Sequence, residues 1–159
     1  MTVRLHTASS EATKALAAVV AEHVRPGDLL LLVGDLGAGK TTFAQGFARA
    51  LGVEEPVTSP TFTLARTYPG RLPMNHVDVY RLDRMAEVGD LALAELIDSN
   101  GVTLIEWGDA ILAALPPAYL EVRLELGDEP DDRDILVRAV GQDWLARLPV
   151  LAATLEHRR

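Results

Sequence analysis

An apolar strand, a glycine-rich turn and an amphipathic helix in direct succession constrain this chain more than any other feature. Leu29, Leu30, Leu31, Leu32 and Val33 form a continuous apolar run, the pattern of a central parallel strand buried on both faces. Next comes Gly34-Asp35-Leu36-Gly37-Ala38-Gly39-Lys40-Thr41. It fits the spacing of a phosphate-binding loop: glycine, four free positions, glycine, lysine and then serine or threonine. From Thr41 on, Phe43, Phe47, Ala50 and Leu51 recur at helical spacing, and Gly52 is placed to end the helix.

The chemistry of such a loop requires each residue type. Gripping a triphosphate takes several backbone N–H groups at once, so the chain must curl tightly with no Cβ in the way, which Gly34, Gly37 and Gly39 permit. The helix beginning near Lys40 adds its positive N-terminal end. Lys40 is placed to reach the β- and γ-phosphates, and the Thr41 hydroxyl to ligate the magnesium that bridges them.

Composition bounds the partners. A length of 159 residues suits one domain, 1–159, with a single hydrophobic core. No apolar run approaches the roughly 18 to 20 residues of a membrane span, and no basic-then-apolar leader opens the sequence, so a cytoplasmic protein without membrane contact is expected. Cysteine is absent, which excludes a disulfide framework and thiolate chemistry. The net charge of −8 argues against a protein that grips RNA by itself, because nucleic-acid binding rests on a basic face that displaces counterions. Lys14 and Lys40 are the lysines, so positive charge is nearly all arginine.

Along the chain, Met1–Leu5 reads as a short strand. Ser9 or Ser10 caps a helix whose Ala12, Leu16, Val19, Val20, His23 and Val24 share a face, with His23 a packed, hydrogen-bonded residue. Pro26-Gly27-Asp28 turns the chain into the central strand. Thr58-Ser59-Pro60-Thr61 lies where nucleotide switches place a γ-phosphate sensor, though hydroxyls at a strand entrance read the same way. Strands Leu64–Tyr68 and Met74–Tyr80 follow, the second with Met74, His76, Asp78 and Tyr80 on one face and Asn75, Val77 and Val79 on the other. Asp78 suits action on magnesium or its water, positioning of an attacking water, or capping of the next helix. His76 reads first as a structural hydrogen-bonding residue.

Arg84–Asp98 reads as two short helices, stopped by Asn100-Gly101. Val102–Ile105 is an apolar strand that ends in Glu106 and Trp107, and an acid at that edge is what phosphate-loop enzymes use to hold magnesium. Leu120, Val122, Leu124 and Leu126 alternate with Glu121, Arg123 and Glu125 as a half-buried strand. Gly127–Asp134 forms an acidic, solvated loop, and Ile135–Val140 returns as an antiparallel hairpin. Gln142–Leu155 is a closing helix with a kink at Pro149, and Glu156–Arg159 is loose. The element order predicts an α/β fold: a P-loop NTPase-like three-layer sandwich with a mostly parallel central sheet and an antiparallel C-terminal hairpin.

Four blocks together carry a wider match: Gly34 to Phe43, Ser59-Pro60-Thr61-Phe62-Thr63-Leu64, His76-Val77-Asp78-Val79-Tyr80-Arg81-Leu82, and Ile105-Glu106-Trp107. In order and spacing they resemble the bacterial TsaE family, the tRNA threonylcarbamoyladenosine biosynthesis ATPases. The resemblance implies a small magnesium-dependent ATPase that works with the TsaB and TsaD proteins and meets tRNA only through them. It puts ATP on Gly34, Asp35, Leu36, Gly37, Ala38, Gly39, Lys40, Thr41 and Thr42, magnesium on Thr41 and Glu106, and catalytic roles on Asp78 and Lys40. It assigns the switch to Thr58–Thr61 and adenine and ribose contacts to Thr7, Ser10 and Arg133. Slow turnover by the isolated protein is expected, since no arginine is clearly placed as a finger. Rival readings are a small-molecule kinase, a GTP-dependent switch, disfavoured because no Asn-Lys-x-Asp sequence occurs, and a nucleotide-binding scaffold that never hydrolyses.

Overall fold

The computed structural model describes residues 1–58, 65–78, 93–97, 100–106 and 115–158. In chain order the elements are β1 (Thr2–Thr7), α1 (Ser10–Ala21), β2 (Leu29–Val33), α2 (Lys40–Ala50), β3 (Ala65–Tyr68) and β4 (Met74–Asp78). Then come α3 (Leu93–Ile97), β5 (Val102–Glu106), β6 (Tyr119–Leu126), β7 (Arg133–Val140) and α4 (Gln142–His157). The strands make one seven-stranded sheet in the order β1-β7-β6-β2-β5-β4-β3. Its central four strands, β6, β2, β5 and β4, are parallel, and the flanks pair antiparallel, including the β6–β7 hairpin. This is the α/β architecture that the element order predicts.

β2 sits at the middle because all five of its residues are apolar and buried. Leu30 and Leu32 face the larger core, which α1, α2 and α4 fill with residues such as Leu16, Val20, Phe43, Phe47, Leu148 and Leu151. Leu29, Leu31 and Val33 face a smaller cluster with Val77, Ile97 and Ile105. Helices α1 and α2 meet at a glycine: a Cβ on Gly46 would lie 2.5 Å from the Lys14 backbone. The Ser9 hydroxyl caps α1 by accepting from the Ala12 amide at 3.0 Å, and Gly52 takes φ +82° just beyond α2.

Several boundaries differ from the sequence reading. β1 runs to Thr7 and not only to Leu5. Ala50, grouped with the apolar face of α2, is exposed. Glu121, expected on a solvated face, is buried, because Arg123 and Arg138 flank its carboxylate on β6 and β7. Arg133 and Asp134 belong to β7, not to the acidic loop. α4 continues to His157, past the expected end at Leu155, with Pro149 inside it. That proline cannot donate to the Leu145 carbonyl; both residues lie on the exposed side, where water can serve that acceptor. The helices read in 84–92 and the extension of β4 to Tyr80 lie outside the described residues, as do Trp107 and the switch residues Ser59–Thr61.

Candidate nucleotide-binding site

The site lies where parallel strands β2, β4 and β5 end on one edge of the sheet, the position at which α/β sheets bind ligands. β2 delivers the loop, β4 ends at Asp78 and β5 ends at Glu106. Asp78 and Glu106 are register partners, and Leu32 pairs with Glu106, so the loop and both carboxylates share this edge. All five residues of β4 are buried, with Met74 in the larger core and Val77 in the smaller cluster across the sheet, the two faces that the period-two pattern predicts for them. Asn75 is tied on the Val77 face to Thr67, Thr103 and the Leu96 carbonyl.

Two kinds of glycine shape the loop. Gly37 and Gly39 take φ of +82° and +105°, a region that side chains disfavour. Gly34 is needed for a different reason: a Cβ there would sit 2.5 Å from the Leu124 carbonyl oxygen on β6. The Ala38 amide donates to the Asp35 carbonyl at 3.0 Å, and α2 begins with Phe43 N–H donating to Gly39 O at 2.9 Å. The N-cap position of α2 is Gly39, which brings no side chain of its own to the first turn, the end of a helix at which anions bind. Leu36 projects from the tip, 79% exposed.

Lys40 is buried, and its Nζ donates to the carbonyls of Gly34 at 2.7 Å and Asp35 at 3.0 Å. Burial lowers its pKa from the ordinary lysine value, while the charges of Glu106, Asp78 and Asp35 oppose the shift. The Thr41 hydroxyl donates to Glu106 Oε1 at 3.4 Å. Glu106 Oε2 lies 2.7 Å from His76 Nε2, and the His76 ring is fully buried. The structural hydrogen bond expected of His76 therefore falls on a site carboxylate.

Asp78 and Glu106, largely buried register partners at the ends of neighbouring strands, place two carboxylates on one edge where a cation could be held between or beside them. With the Thr41 hydroxyl they form an all-oxygen donor set, which suits a hard divalent ion. Among the described residues no group of three or more His, Asp or Glu side chains forms a metal cage. Magnesium fits that limit, because it commonly takes one or two carboxylates and completes its shell with phosphate and water.

A second group lies on the other side of Gly39. Ser10, Thr13, Thr42, Asp131 and Arg133 line a small cavity beside it. Arg133 Nε donates to the Ala38 carbonyl at 2.8 Å, and its Nη1 to those of Pro130 and Asp132. Arg133 thus braces the loop from the hairpin, beside the place where a nucleotide would extend. Thr7 stands apart from this cavity: its buried hydroxyl is 2.8 Å from that of Thr13. Thr13 and Asp131 occupy the lining and were not among the sequence-derived candidates. At the root of the expected switch, Gln45 Nε2 donates to the Val57 carbonyl at 3.0 Å, next to exposed Thr58.

Comparison with known proteins gives the family of the chain. The sequence model for the threonylcarbamoyl adenosine biosynthesis protein TsaE matches residues 7–135. The tRNA threonylcarbamoyladenosine biosynthesis protein TsaE of Bacillus subtilis is 44% identical over 143 residues, 89% of each chain. That of Treponema pallidum is 38% identical over 124 residues, 78% of this chain and 92% of its own. Among solved structures, a crystal structure of YdiB from Bacillus subtilis superposes with a TM-score of 0.85 at 37% identity, covering 97% of this chain and 96% of the other.

Proposed function

The chain belongs to the TsaE family of threonylcarbamoyladenosine biosynthesis proteins, and we propose that within tRNA modification it binds and slowly hydrolyses ATP with magnesium, acting on a TsaB–TsaD complex as a motor or regulator. The observation that carries this reading is the meeting of Thr41 with Glu106, and of Glu106 with Asp78, beside a buried Lys40.

In this reading the loop amides and the α2 N-terminus receive the phosphates. Lys40 turns from the Gly34 and Asp35 carbonyls to phosphate oxygens, with which a desolvated ammonium makes stronger, charge-assisted bonds. Thr41 and Glu106 would hold magnesium, whose chemistry is to neutralise charge on the bridging phosphate oxygens. Asp78 accepts a hydrogen bond from the attacking water and orients it in line. Ser10, Thr42 and Arg133, around the cavity beside Gly39, suit the sugar and base end.

Among the described residues, Arg133 gives donors to loop and hairpin carbonyls and is not placed as a charge-stabilising finger, which supports slow intrinsic turnover. Stimulation by partners is then the expected mode of control, since a bound nucleotide changes an assembly only through its differential affinity for two states. The charge of −8 fits docking on protein partners, with tRNA reached through the complex.

The test is phosphate release from ATP at fixed magnesium, with and without TsaB–TsaD and tRNA, for the wild type, Lys40→Ala and Asp78→Ala. Slow release that partners accelerate, and that both variants lose by at least about 100-fold, is the expected result. Turnover near about 10 per second without partners, transfer of phosphate to an added acceptor, or ATP binding with no release under any condition would each overturn the proposal.

A further inference from the structure

We infer that His76 is a positioning residue for Glu106, fixing the carboxylate so that the oxygen on the Thr41 side is presented to the metal. The inference rests on the magnesium-ATP reading above and adds a residue to it. His76 and Glu106 sit on adjacent parallel strands, diagonally placed on one face, since His76 pairs in register with Leu104 and Asp78 with Glu106. The imidazole reaches across that diagonal to Glu106 Oε2 at 2.7 Å, while Thr41 addresses Oε1 at 3.4 Å. The two oxygens therefore have different neighbours, one a rigid ring and the other the hydroxyl that adjoins the phosphate loop.

The second ring nitrogen identifies the tautomer. Among the described residues, His76 Nδ1 is buried without a hydrogen-bond partner. A proton there would be an unsatisfied buried donor, which costs more than a bare acceptor lone pair. The proton accordingly sits on Nε2 and is donated to Glu106. The ring is fully buried, so its orientation is set by packing and not by solvent. A ligand carboxylate held by such an outer partner has its plane and reach fixed, the usual function of hydrogen bonds around metal ligands. Released from His76, Glu106 would be drawn to the Lys40 ammonium, which already feels its charge.

The test compares His76→Gln, whose amide nitrogen can take the place of Nε2, with His76→Asn, which is too short to reach Glu106. Glu106→Gln serves as the ligand control. Manganese affinity of the ADP complex is read by the electron paramagnetic resonance of free ion, metal-free ADP affinity by calorimetry, and folding by thermal melting. Expected are a loss of about tenfold or more in manganese affinity for His76→Asn with metal-free ADP binding within about twofold, and recovery to within about threefold in His76→Gln. If both His76 variants bind manganese like the wild type while Glu106→Gln does not, the positioning role is overturned and the metal reading stands. If Glu106→Gln also binds manganese normally, both fall together. An equal loss of ADP and manganese binding in His76→Asn, unrecovered by glutamine, would mean that the bond serves only packing.

Discussion

The two ends of β2 handle buried charge in opposite ways. Just before the strand, Asp28 receives Arg147 Nη1 at 2.9 Å and Nη2 at 2.7 Å, a two-pronged pair, and also accepts from the Arg25 amide at 2.7 Å. The guanidinium lies 3.7 Å from the centre of the Trp144 ring and also donates to Asp143. Burial works against its charge, but Asp28 and Asp143 more than offset that and raise its pKa. Beyond the strand, Asp78 and Glu106 stand as neighbours on one face and Lys40 donates to main-chain carbonyls. The first end matches opposite charges within the protein and holds α4 to the α1–β2 turn. The second gathers two carboxylates near a lysine that donates to the Gly34 and Asp35 carbonyls, an arrangement that in the proposed function a metal and a polyphosphate would complete. One end secures the fold, and the other carries the proposed ligand site.

Substitution separates the two. Arg147→Ala leaves Asp28 partly buried without its guanidinium and removes the cover over Trp144, so unfolding free energy should fall by about 3 kcal/mol. Urea denaturation checks this, with ATP affinity of the folded variant expected within about twofold of the wild type. Glu106→Gln should act in the reverse sense. Relief of like charge beside Asp78 opposes the weakened bond from His76, so metal-free stability should stay within about 1 kcal/mol of the wild type. The stabilisation that magnesium and nucleotide add should collapse in a thermal melt. A loss as large as that of Arg147→Ala would break the comparison, because it would make the ligand end a structural pair as well.

The smallest effect belongs to an exposed pair outside both ends. His6 Nδ1 lies 3.0 Å from Asp134 Oδ1, and that bond, with Asp132 adding to it, raises the histidine pKa from its ordinary value. Because the folded-state value is the higher one, the contribution is full below the unfolded value of about 6.5 and fades as pH rises through the folded one. The stability difference between wild type and His6→Gln should therefore shrink from pH 6 to pH 8 in urea titrations. A difference constant across that range would remove the charge from this contact.

Much of the ligand end was legible because its signals are local. The apolar run at Leu29–Val33, the glycines and Lys40-Thr41 lie within one strand–turn–helix, and Glu106 stood out as an acid closing an apolar strand. Non-local facts were not legible. No short-range pattern sets the pairing of β4 with β5, so the opposition of Asp78 to Glu106 and the reach of His76 appear only once the register is known. Glu121 looked solvated because strand alternation says nothing of the Arg138 that pairs with it from the next strand. Arg133 was absorbed into an acidic loop by its neighbours' composition, although it begins β7. Thr7 entered only through the family resemblance, and no local pattern announces that its hydroxyl meets Thr13, a lining residue of the cavity beside Gly39.

The grip of Arg133 on Ala38 spans 95 positions of sequence. A chain made from its N-terminus presents the whole glycine-rich motif early, yet that bracing contact must wait until residue 133 has emerged and β7 has paired with β6 and β1. During synthesis the complete motif and the finished loop are therefore separate events. A nascent or truncated chain that ends before the hairpin carries every residue of the motif while its Ala38 carbonyl still lacks the guanidinium partner.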